Sequence, residues 1–540
     1  MNSEKLKKID HKYDVIVVGA GFAGLYALHR LRGEGLKVKV IEKGSDLGGT
    51  WYWNKYPGCR CDVESLEYSF SFCEDLQQEW EWPEKYSAQN DILNYANFVA
   101  KKFDLRKDIL FDTKVMAASF TETENTWKIE TDSGCIFQCN FCVLASGNLS
   151  EPQMPNFAGL ESFEGNWYHT GLWPINKVDF SGRRVGLIGT GSSGIQTAPE
   201  VAKQASELFV FQRTANFSLP GRNHDSDPDT VKIHKSQYRQ RRIAALETPF
   251  GIGGYPPPTQ SALEVTDEER DRIFEEKWQE GGTISFLYSF NDLLTNKESN
   301  EFASEFVRQK IREKVHDTET AELLCPTTHP IGTKRLVLDN GYYEIFNQPH
   351  VNLVDISKNG ISNITKNGVV AGSTEYKVDA LIFAMGFDAM TGSINNINIC
   401  NHKGEYLSDK WKYGPLTYLG LMTAGFPNIF FVTGPQSPGV KSQMILSIEQ
   451  HVDWIADCIK YMESNGNKMI NPLKKSEELW VKHVTDVAND TLYPMGNSWY
   501  QGANIKGKTR VFMPYVGGFQ KYRAKLNAVV SARYEGFDFN

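Results

Sequence analysis

The stretch YDVIVVGAGFAGLYALHRLRGEGLKVKVIE, residues 13–42, decides the fold. Its opening run YDVIVV is apolar and β-branched, which predicts a buried parallel strand, and GAGFAG then predicts a tight turn. LYALHRLR has the spacing of an amphipathic helix, and KVKVIE predicts a second strand. A strand, a helix and a further strand in this order form a βαβ unit, whose two strands lie parallel in one sheet.

The turn of this unit carries the glycine pattern GxGxxG at Gly19, Gly21 and Gly24. The first glycine permits the turn, the second lets the backbone approach a pyrophosphate at the helix N-terminus, and the third allows close packing of helix on strand. Glu42 ends the second strand, where a carboxylate accepts hydrogen bonds from ribose hydroxyls. The unit therefore predicts an adenine-dinucleotide site; the alternative is a purely structural turn.

A second copy of the pattern is RVGLIGTGSSGIQTAPEVAKQASELFVFQR, residues 184–213, with Gly189, Gly191 and Gly194 in the turn. Its second strand ends with Arg213 and Thr214 and without an acid. A cation and a hydroxyl suit a ribose 2′-phosphate, which a carboxylate would repel. This copy is expected to bind NADP(H) rather than NAD(H); the alternative is an arginine exposed at a strand end.

The two copies together indicate FAD at the site with Glu42 and NADPH at the site with Arg213, the pair used by flavin oxidoreductases. The predicted fold class is α/β, with two Rossmann-like dinucleotide-binding domains, one for FAD and one for NADP. Charged segments of helical pattern, such as TDEERDRIFEEKWQ, predict a helical insertion in the NADP domain. Pro199 predicts a kink or an early end in the helix of the second copy.

Two runs, NFCVLASG (140–147) and VDALIFAMGFD (378–388), resemble strands that end in glycine turns and are expected to return the chain to each nucleotide domain. The expected boundaries are 1–150 for the first part of the FAD domain, 151–222 for the first part of the NADP domain, 223–331 for the helical insertion, 332–380 for the second part of the NADP domain, and 381–540 for the second part of the FAD domain with a mobile loop near the C-terminus.

Composition narrows the class of protein. The 540 residues are 41% hydrophobic, which allows large cores, and the net charge of −8 offers no electrostatic case for binding nucleic acid or an anionic membrane. The N-terminus, MNSEKLKKIDHKYD, is polar and charged, so no secretory signal is expected. The sequence has no apolar run long enough to span a membrane, so no membrane insertion is expected. Nine scattered cysteines argue against a disulfide framework and fit a reducing cytoplasm.

The spacing of the cysteines favours neither a redox pair nor a metal site. Cys59 and Cys61 lie roughly where a dithiol reductase has its redox pair, but a disulfide across one residue is strained, and no acid–base histidine near the C-terminus lies in a suitable motif. Cys135, Cys139 and Cys142 have no histidine at zinc-finger spacing and are interpreted as buried thiols, so no metal is expected.

The segment FEGNWYHTGLWP, residues 163–174, is too irregular to predict a helix or a strand. It carries a fingerprint through which the chain resembles the type I Baeyer–Villiger monooxygenases, such as phenylacetone and cyclohexanone monooxygenase. The fingerprint residues are Phe163, Gly165, His169, Trp173 and Pro174. The family's longer motif GGxWxxxxYPGxxxD is matched by Gly48, Gly49, Trp51, Tyr56, Pro57, Gly58 and Asp62, and further matches are GTKR (332–335), AMGFD (384–388) and NSWYQGAN (497–504).

The resemblance implies that NADPH reduces FAD, that O2 forms a C4a-peroxyflavin anion, and that this anion converts a ketone to an ester or lactone. It implies that Arg335, paired with Asp62, stabilises the anion, since arginine keeps its proton at working pH. It also implies sulfoxidation and a monomer. His169 is interpreted as acting through hydrogen bonds and packing in a connector between the two domains, not through proton transfer.

The resemblance assigns further roles by position. Lys334 would read the 2′-phosphate beside Arg213 and Thr214, and Trp499 would lie on a mobile loop near NADP. The full cofactor-binding set is Gly19, Gly21, Phe22, Ala23, Gly24, Glu42, Gly49, Thr50, Trp51, Arg60, Cys61, Asp62, Tyr68, Val115, Thr190, Gly191, Ser192, Ser193, Gly194, Ile195, Gln196, Arg213, Thr214, Lys334, Arg335 and Trp499. The expected substrate pocket is formed by Gln89, Leu149, Gly439, Val440 and Met444.

Two alternatives stay open at this stage. An N- or S-oxidising flavin monooxygenase shares both nucleotide folds, but its fingerprint lacks the Trp-Pro ending and the GGxWxxxxYPG motif. A flavoprotein that only senses redox state would bind both nucleotides without turnover.

Overall fold

The computed structural model describes residues 11–540. Residues 1–10, which carry most of the segment used to argue against a signal peptide, lie outside this range. The strands are β1 (His11–Val18), β2 (Val38–Ile41), β3 (Ile109–Leu110), β4 (Val115–Thr121), β5 (Thr126–Thr131), β6 (Ile136–Leu144), β7 (Asn166–His169), β8 (Arg184–Ile188), β9 (Glu207–Gln212), β10 (Ser218–Pro220), β11 (Val337–Asp339), β12 (Val351–Asp355), β13 (Ile361–Thr365), β14 (Gly368–Ala371), β15 (Thr374–Lys377), β16 (Ala380–Phe383), β17 (Asn398–Cys400), β18 (Ile429–Phe431), β19 (Ile470–Pro472) and β20 (Phe537–Phe539).

The α-helices are α1 (Phe22–Gly33), α2 (Thr50–Trp53), α3 (Glu74–Glu79), α4 (Gln89–Lys102), α5 (Ser192–Ala202), α6 (Pro228–Ser236), α7 (Tyr238–Ala245), α8 (Asp267–Glu280), α9 (Thr283–Leu287), α10 (Lys297–Lys314), α11 (Thr318–Leu324), α12 (Gly392–Asn395), α13 (Leu407–Lys410), α14 (Met444–Ser464), α15 (Lys474–Asn489) and α16 (Phe519–Ser531). Within residues 11–540, no helix has the length and apolar character needed to cross a bilayer.

The first sheet has the strand order β17-β4-β5-β6-β1-β2-β3, with β18 on β6. The predicted βαβ unit is confirmed, because β1, α1 and β2 follow one another and the two strands pair in parallel. Strand β6 pairs in parallel on the other side of β1, so the run at 140–147 returns the chain to this sheet as predicted.

The second sheet has the order β12-β9-β8-β16-β7, and all its pairs are parallel. Helix α5 connects β8 to β9 and does not end early, since it continues through Pro199 to Ala202. A proline this close to the helix end removes one backbone donor with few residues left to disturb. Strand β16 runs to Phe383, so the boundary expected at 380 falls at the beginning of a strand of this sheet.

The expectation that the segment 163–174 contains no strand is wrong. Residues Asn166–His169 form β7, the edge strand of the second sheet, with His169 opposite Phe383 of β16. Two of its four side chains are exposed, and as an edge strand of the sheet it pairs with β16 on one side. A four-residue edge strand held by backbone pairing has no alternating apolar pattern that could reveal it.

The segment 223–331 is helical, as predicted, and contains α6 to α11. Strand β10 precedes it and pairs with β11, which follows it, so the two strands close the base of the insertion. Arg241 of α7 donates from Nη2 to the Oε1 atom of Glu67 at 2.8 Å, and the Glu67 side chain is buried. This ion pair attaches the insertion to the first domain.

Candidate active site

A cavity of about 1060 Å³ is lined by the glycine turns that follow β1 and β8. Gly19 and Gly21 line it from the first sheet, and Gly189 and Gly191 from the second. Both turns lie at the carboxyl ends of parallel strands, where ligands of open α/β sheets bind. The cavity therefore joins the two dinucleotide units predicted from sequence.

The first turn leaves the N-terminus of α1 without a side-chain cap. Gly21 is the cap residue, and the first N–H groups of a helix have no partner within the helix. Gly24 does not line the cavity. It lies so close to the turn that a Cβ there would be 1.8 Å from the carbonyl oxygen of Gly19. Gly24 therefore presses the helix onto the turn, while Gly19 and Gly21 form the wall.

Glu42 lines the cavity, but its carboxylate also holds the backbone of the first turn. Oε2 accepts from the N–H of Ala20 and Oε1 from the N–H of Gly44, both at 2.7 Å. The residue is 5% exposed. A carboxylate has lone pairs beyond these two bonds, so Glu42 can also accept from a ligand hydroxyl.

The second turn has the same form. Gly191 caps α5 without a side-chain bond, and a Cβ added to it would meet nothing within 4 Å. Gly194 and Ile195 do not line the cavity: a Cβ on Gly194 would lie 2.0 Å from the carbonyl oxygen of Gly189, and Ile195 is packed in the core. The open backbone at Gly191 leaves room for a ligand at the helix N-terminus.

Arg213, Thr214 and Lys334 line the cavity beyond the end of β9. Burial and the nearby positive charge of Arg213 lower the pKa of the Lys334 ammonium. Two cations this close, in a partly buried position, favour an anionic ligand between them.

Arg335 and Asp62 form an ion pair in the cavity wall. Nε of Arg335 donates to Oδ2 of Asp62 at 2.9 Å, and 34% of the Arg335 side chain remains exposed. Burial works against the charged guanidinium, but the Asp62 carboxylate more than offsets it and the pKa of Arg335 is raised. Asp62 thus holds a permanent cation at the cavity.

The loop 48–62 reaches from the first domain onto helix α5. The Tyr56 hydroxyl donates to Oε1 of Gln196 at 2.8 Å, and Nε2 of Gln196 donates to the Arg60 carbonyl at 3.1 Å. Cys59 and Cys61 on this loop are free, and burial raises the pKa of each thiol to about 12. Thiols of this kind are poor nucleophiles, which disfavours a dithiol reductase.

The fingerprint residues at positions 163, 165, 169, 173 and 174, all within the described range, do not line the cavity. His169 is 2% exposed, and its Nδ1 accepts from the N–H of Gly171 at 3.0 Å. Burial lowers the pKa of His169. The next residue, Thr170, donates to the Ser193 hydroxyl at 3.2 Å, so the fingerprint contacts the second glycine turn from behind.

Most of the remaining predicted residues line the cavity, and two of them lie outside its wall. The wall includes Phe22, Ala23, Gly49, Thr50, Trp51, Arg60, Cys61, Tyr68, Val115, Thr190, Ser192, Ser193, Gln196, Trp499, Leu149, Val440 and Met444. Gln89 and Gly439 do not line the cavity. Gln89 is buried and donates from Nε2 to the Trp51 carbonyl, so it supports the wall from outside.

Sequence reasoning missed several residues of the wall, which are Asn148, Ser150, Phe387, Asn497, Ser498 and Arg510. Phe387, Asn497 and Ser498 lie inside the family-matched segments 384–388 and 497–504, and Asn148 and Ser150 directly follow the segment 140–147. Asn504, within NSWYQGAN, also lines the wall and donates from Nδ2 to the Phe387 carbonyl at 2.7 Å. Arg510 has no local pattern that could have identified it.

Known proteins resemble this chain along nearly its whole length. The model of the flavin-binding monooxygenase-like family matches residues 12–239. A phenazine N-monooxygenase of Lysobacter antibioticus is 40% identical over 97% of this chain and 96% of that protein. A Baeyer–Villiger monooxygenase of Pseudooceanicola batsensis is 39% identical over 99% of this chain and 97% of that protein. The chain belongs to the Baeyer–Villiger monooxygenase family of flavin enzymes.

Solved structures agree with this membership in the Baeyer–Villiger monooxygenase family. A steroid monooxygenase bound to NADP superimposes with a TM-score of 0.94 and 46% identity, covering 98% of this chain and 99% of that chain. The α/β fold with two dinucleotide domains is therefore confirmed, and the chain is an enzyme of this family. The first relative named above oxidises nitrogen, so the family membership alone leaves the reacting atom of the substrate open.

Proposed function

We propose that this enzyme uses FAD, NADPH and O2 to insert one oxygen atom beside a ketone carbonyl, forming an ester or a lactone. The observation that carries the proposal is the Arg335–Asp62 pair, which lies in the wall of the cavity that both dinucleotide turns line.

The residues of the first turn fit FAD. The uncapped N-terminus of α1 suits a pyrophosphate, and Glu42 suits a ribose. Gly49 and Trp51 of the loop 48–62 offer a close backbone and an aromatic wall for a flat ring system. FAD held by these residues would supply the electron transfer between NADPH and O2 and the oxygen chemistry that side chains lack.

The residues of the second turn fit NADPH. The N-terminus of α5 suits its pyrophosphate, while Arg213 and Lys334, which lie close enough for one charge to affect the other, suit the 2′-phosphate. Arg213 can bind a phosphate through two parallel N–H bonds, and a ribose hydroxyl offers no such partner. We therefore expect a strong preference for NADPH over NADH.

Arg335 stabilises negative charge that develops on oxygen during the reaction. Among residues 11–540, Nε is the only nitrogen of the Arg335 guanidinium with a hydrogen-bond partner, which leaves its other side-chain N–H groups for substrate or cofactor. Because a guanidinium does not give up its proton near neutral pH, Arg335 supplies charge without acting as an acid. Asp62 orients it, and the surrounding low-dielectric wall strengthens its field.

Leu149, Val440 and Met444 give part of the cavity an apolar wall, which favours an apolar ketone. The test is aerobic incubation of the purified, FAD-loaded enzyme with NADPH and a panel of aryl, cyclic, linear and steroidal ketones. We expect an ester or lactone carrying one atom of isotopically labelled O2. NADPH oxidation that yields only hydrogen peroxide with every ketone would contradict the proposal.

Arg213→Ala tests the cofactor assignment. Loss of a charge-assisted phosphate contact is expected to raise the KM for NADPH about tenfold to hundredfold, with little change for NADH. Arg183→Ala is the matched control, because Arg183 precedes β8 and does not line the cavity. Equal effects of Arg213→Ala on NADPH and NADH would refute the assignment of the 2′-phosphate to Arg213.

A second candidate is N-oxidation of a heteroaromatic substrate, favoured by the phenazine N-monooxygenase among the relatives. Sulfoxidation would use the same oxygen chemistry. Incubation with phenazine and with a thioether, in parallel with the ketone panel, separates these activities by product mass. An N-oxide formed faster than any ester would make N-oxidation the principal activity.

We further propose that the enzyme is a monomer in a reducing cytoplasm. The nine cysteines, all within the described residues, are free thiols. Sedimentation of the holoenzyme at micromolar concentration tests the oligomeric state.

A further inference from the structure

Lys441 is a half-buried cation that the proposed chemistry does not use. It ends the turn Gly439–Lys441 in the loop 438–444, which we call the pocket loop. Val440, Ser442 and Met444 of the pocket loop line the cavity, whereas Lys441 does not. Among residues 11–540 the Lys441 ammonium has no carboxylate within ion-pair distance, so its charge is compensated in another way.

The compensation comes from two tyrosine rings. Nζ of Lys441 lies 4.1 Å from the ring centroid of Tyr493 and 4.6 Å from that of Tyr500. Both tyrosines are almost fully buried. A desolvated ammonium over an aromatic face is held by the negative potential of the ring, and here two rings share one cation.

Both rings belong to residues 493–501, which we call the Trp499 segment. Tyr500 lies against Trp499 with ring centroids 4.1 Å apart, and Trp499 lines the cavity. Val440 of the pocket loop and Trp499 also pack against the same small cluster of Ala389, Met390 and Met513. The pocket loop and the Trp499 segment therefore meet through one apolar contact and one half-buried cation held against two buried rings.

We propose that Lys441 is a positioning residue whose ammonium, held between Tyr493 and Tyr500, fastens the pocket loop to the Trp499 segment. Through this clamp, occupation of the cavity next to Trp499 and the shape of the wall at Val440 and Met444 depend on each other. A leucine would fill the same space without the cost of partly desolvating a charge, so packing alone does not account for a lysine here.

The clamp has a built-in dependence on pH. Burial, together with the positive charge of Arg335, lowers the pKa of Lys441 to about 7. The titratable or charged groups that face its ammonium are Arg335, which Asp62 pairs, and the two tyrosines, whose pKa values burial raises. As pH rises through the pKa, Lys441 loses its proton and the attraction to the two rings disappears.

The test compares FAD-loaded wild type, Lys441→Met and Lys441→Arg at pH 6 and pH 8.5. The first readout is the Kd for NADP⁺ from flavin absorbance, and the second is the fraction of oxidised NADPH that ends as hydrogen peroxide. We expect Lys441→Met to raise the Kd about tenfold at pH 6 and to increase the peroxide fraction. Lys441→Arg is expected to match wild type at pH 6 and, unlike wild type, to keep its affinity at pH 8.5.

Lys412→Met is the matched control, because Lys412 also lies over a tyrosine ring, at 5.5 Å from Tyr413, but on an exposed side chain. It is expected to leave both readouts unchanged. Equal Kd values and equal pH dependence for wild type, Lys441→Met and Lys441→Arg would overturn the clamp. If Lys441→Met fails to retain FAD, the comparison of wild type with Lys441→Arg at the two pH values decides alone.

The inference rests on the proposed binding of NADP⁺ beside Trp499. A wild-type enzyme that binds no NADP⁺ would refute that proposed function, whereas a wild-type enzyme that binds NADP⁺ but is matched by both Lys441 variants would refute only the clamp.

Discussion

Asp62 and Arg335 lie 273 positions apart in the chain and form a hydrogen bond of 2.9 Å. Neither residue has a local pattern that marks it: an isolated aspartate usually caps a turn, and an isolated arginine usually lies at the surface. Here the aspartate is nearly buried and the arginine faces a cavity. At the scale of single residues, this pair is the part of the site with the most direct consequence for chemistry.

Arg335→Ala is expected to reduce ester formation by about 10²–10³, because one preorganised charge next to the reacting atoms is lost. Flavin reduction by NADPH is expected to persist, so NADPH is oxidised without product. Stopped-flow absorbance of the flavin and product analysis measure the two steps separately. Arg184→Ala, which removes the Arg184–Asp379 ion pair outside the cavity, is the control and should retain ester formation. Normal ester yield from Arg335→Ala would remove this residue from the mechanism.

At the scale of elements, β7 gives the fingerprint a structural position. It adds an edge strand beside β16, and the turn that follows it places Thr170 against Ser193 at the start of α5. His169 ends β7 with its Nδ1 committed to the backbone of Gly171. The histidine therefore holds the turn after β7 from a position outside the cavity.

His169→Ala is expected to lower the stability of the second domain by about 1–3 kcal/mol, because the buried N–H of Gly171 loses its acceptor. Its effect on turnover should be a larger peroxide fraction and not a loss of flavin reduction. Thermal unfolding and the ratio of ester to NADPH consumed are the measurements. His316→Ala is the control on an exposed histidine. Full coupling in His169→Ala would exclude a conformational role for the fingerprint histidine.

At the scale of the whole molecule, the two dinucleotide domains are joined by more than their crossing chains. Gly58 fits against α5 so closely that a Cβ there would lie 2.1 Å from the carbonyl oxygen of Gln196. The helical insertion is attached to the first domain through the buried carboxylate of Glu67 and Arg241. These contacts border the cavity between the domains, and each of them depends on how the two domains are placed relative to each other.

Buried titratable groups predict how the stability of the whole molecule varies with pH. Burial lowers the pKa of His451 to about 3, and burial with the positive charge of Arg241 lowers that of His234 to about 4. Their pKa in the unfolded chain is about 6.5, so their contribution is complete above that pH and is lost as pH falls. Burial raises the pKa of Glu449 to about 7. Between the unfolded pKa of this carboxyl and pH 7, Glu449 therefore makes the free energy of unfolding increase as the pH falls, which opposes the histidines.

Burial and the positive charge of Lys334 also lower the pKa of His329 to about 3. With three such histidines against one glutamate, the free energy of unfolding is expected to fall toward acid between about pH 6.5 and 5, with a slope that approaches about 2.7 kcal/mol per pH unit as the pH nears 5. The melting temperature of the holoenzyme across this range measures it. His451→Gln should flatten the decline and Glu449→Gln should steepen it. A melting temperature that is constant or higher at pH 5 would contradict this balance.

The sequence alone was enough to predict both βαβ units and the helical insertion, which the structure contains, and it predicted a ligand for each glycine turn. These features depend on residues that are close together in the chain. The glycines of a GxGxxG turn lie where the backbone is crowded. The acid or cation that would contact the ribose or its phosphate lies at the end of the second strand of the same βαβ unit. Recognition of the family then pointed to Asp62 and Arg335, which no local pattern joins.

Only the tertiary structure decided which predicted residues form the wall. Gly24, Gly194 and Gln89 support it from behind, and β7 exists because β16, far along the chain, offers it a partner. The contact of Lys441 with Tyr493 and Tyr500 is also invisible in the sequence. The physical reason is the same in each case: burial and contact between distant residues depend on how the sheets and loops pack, and spacing along the chain does not encode that packing.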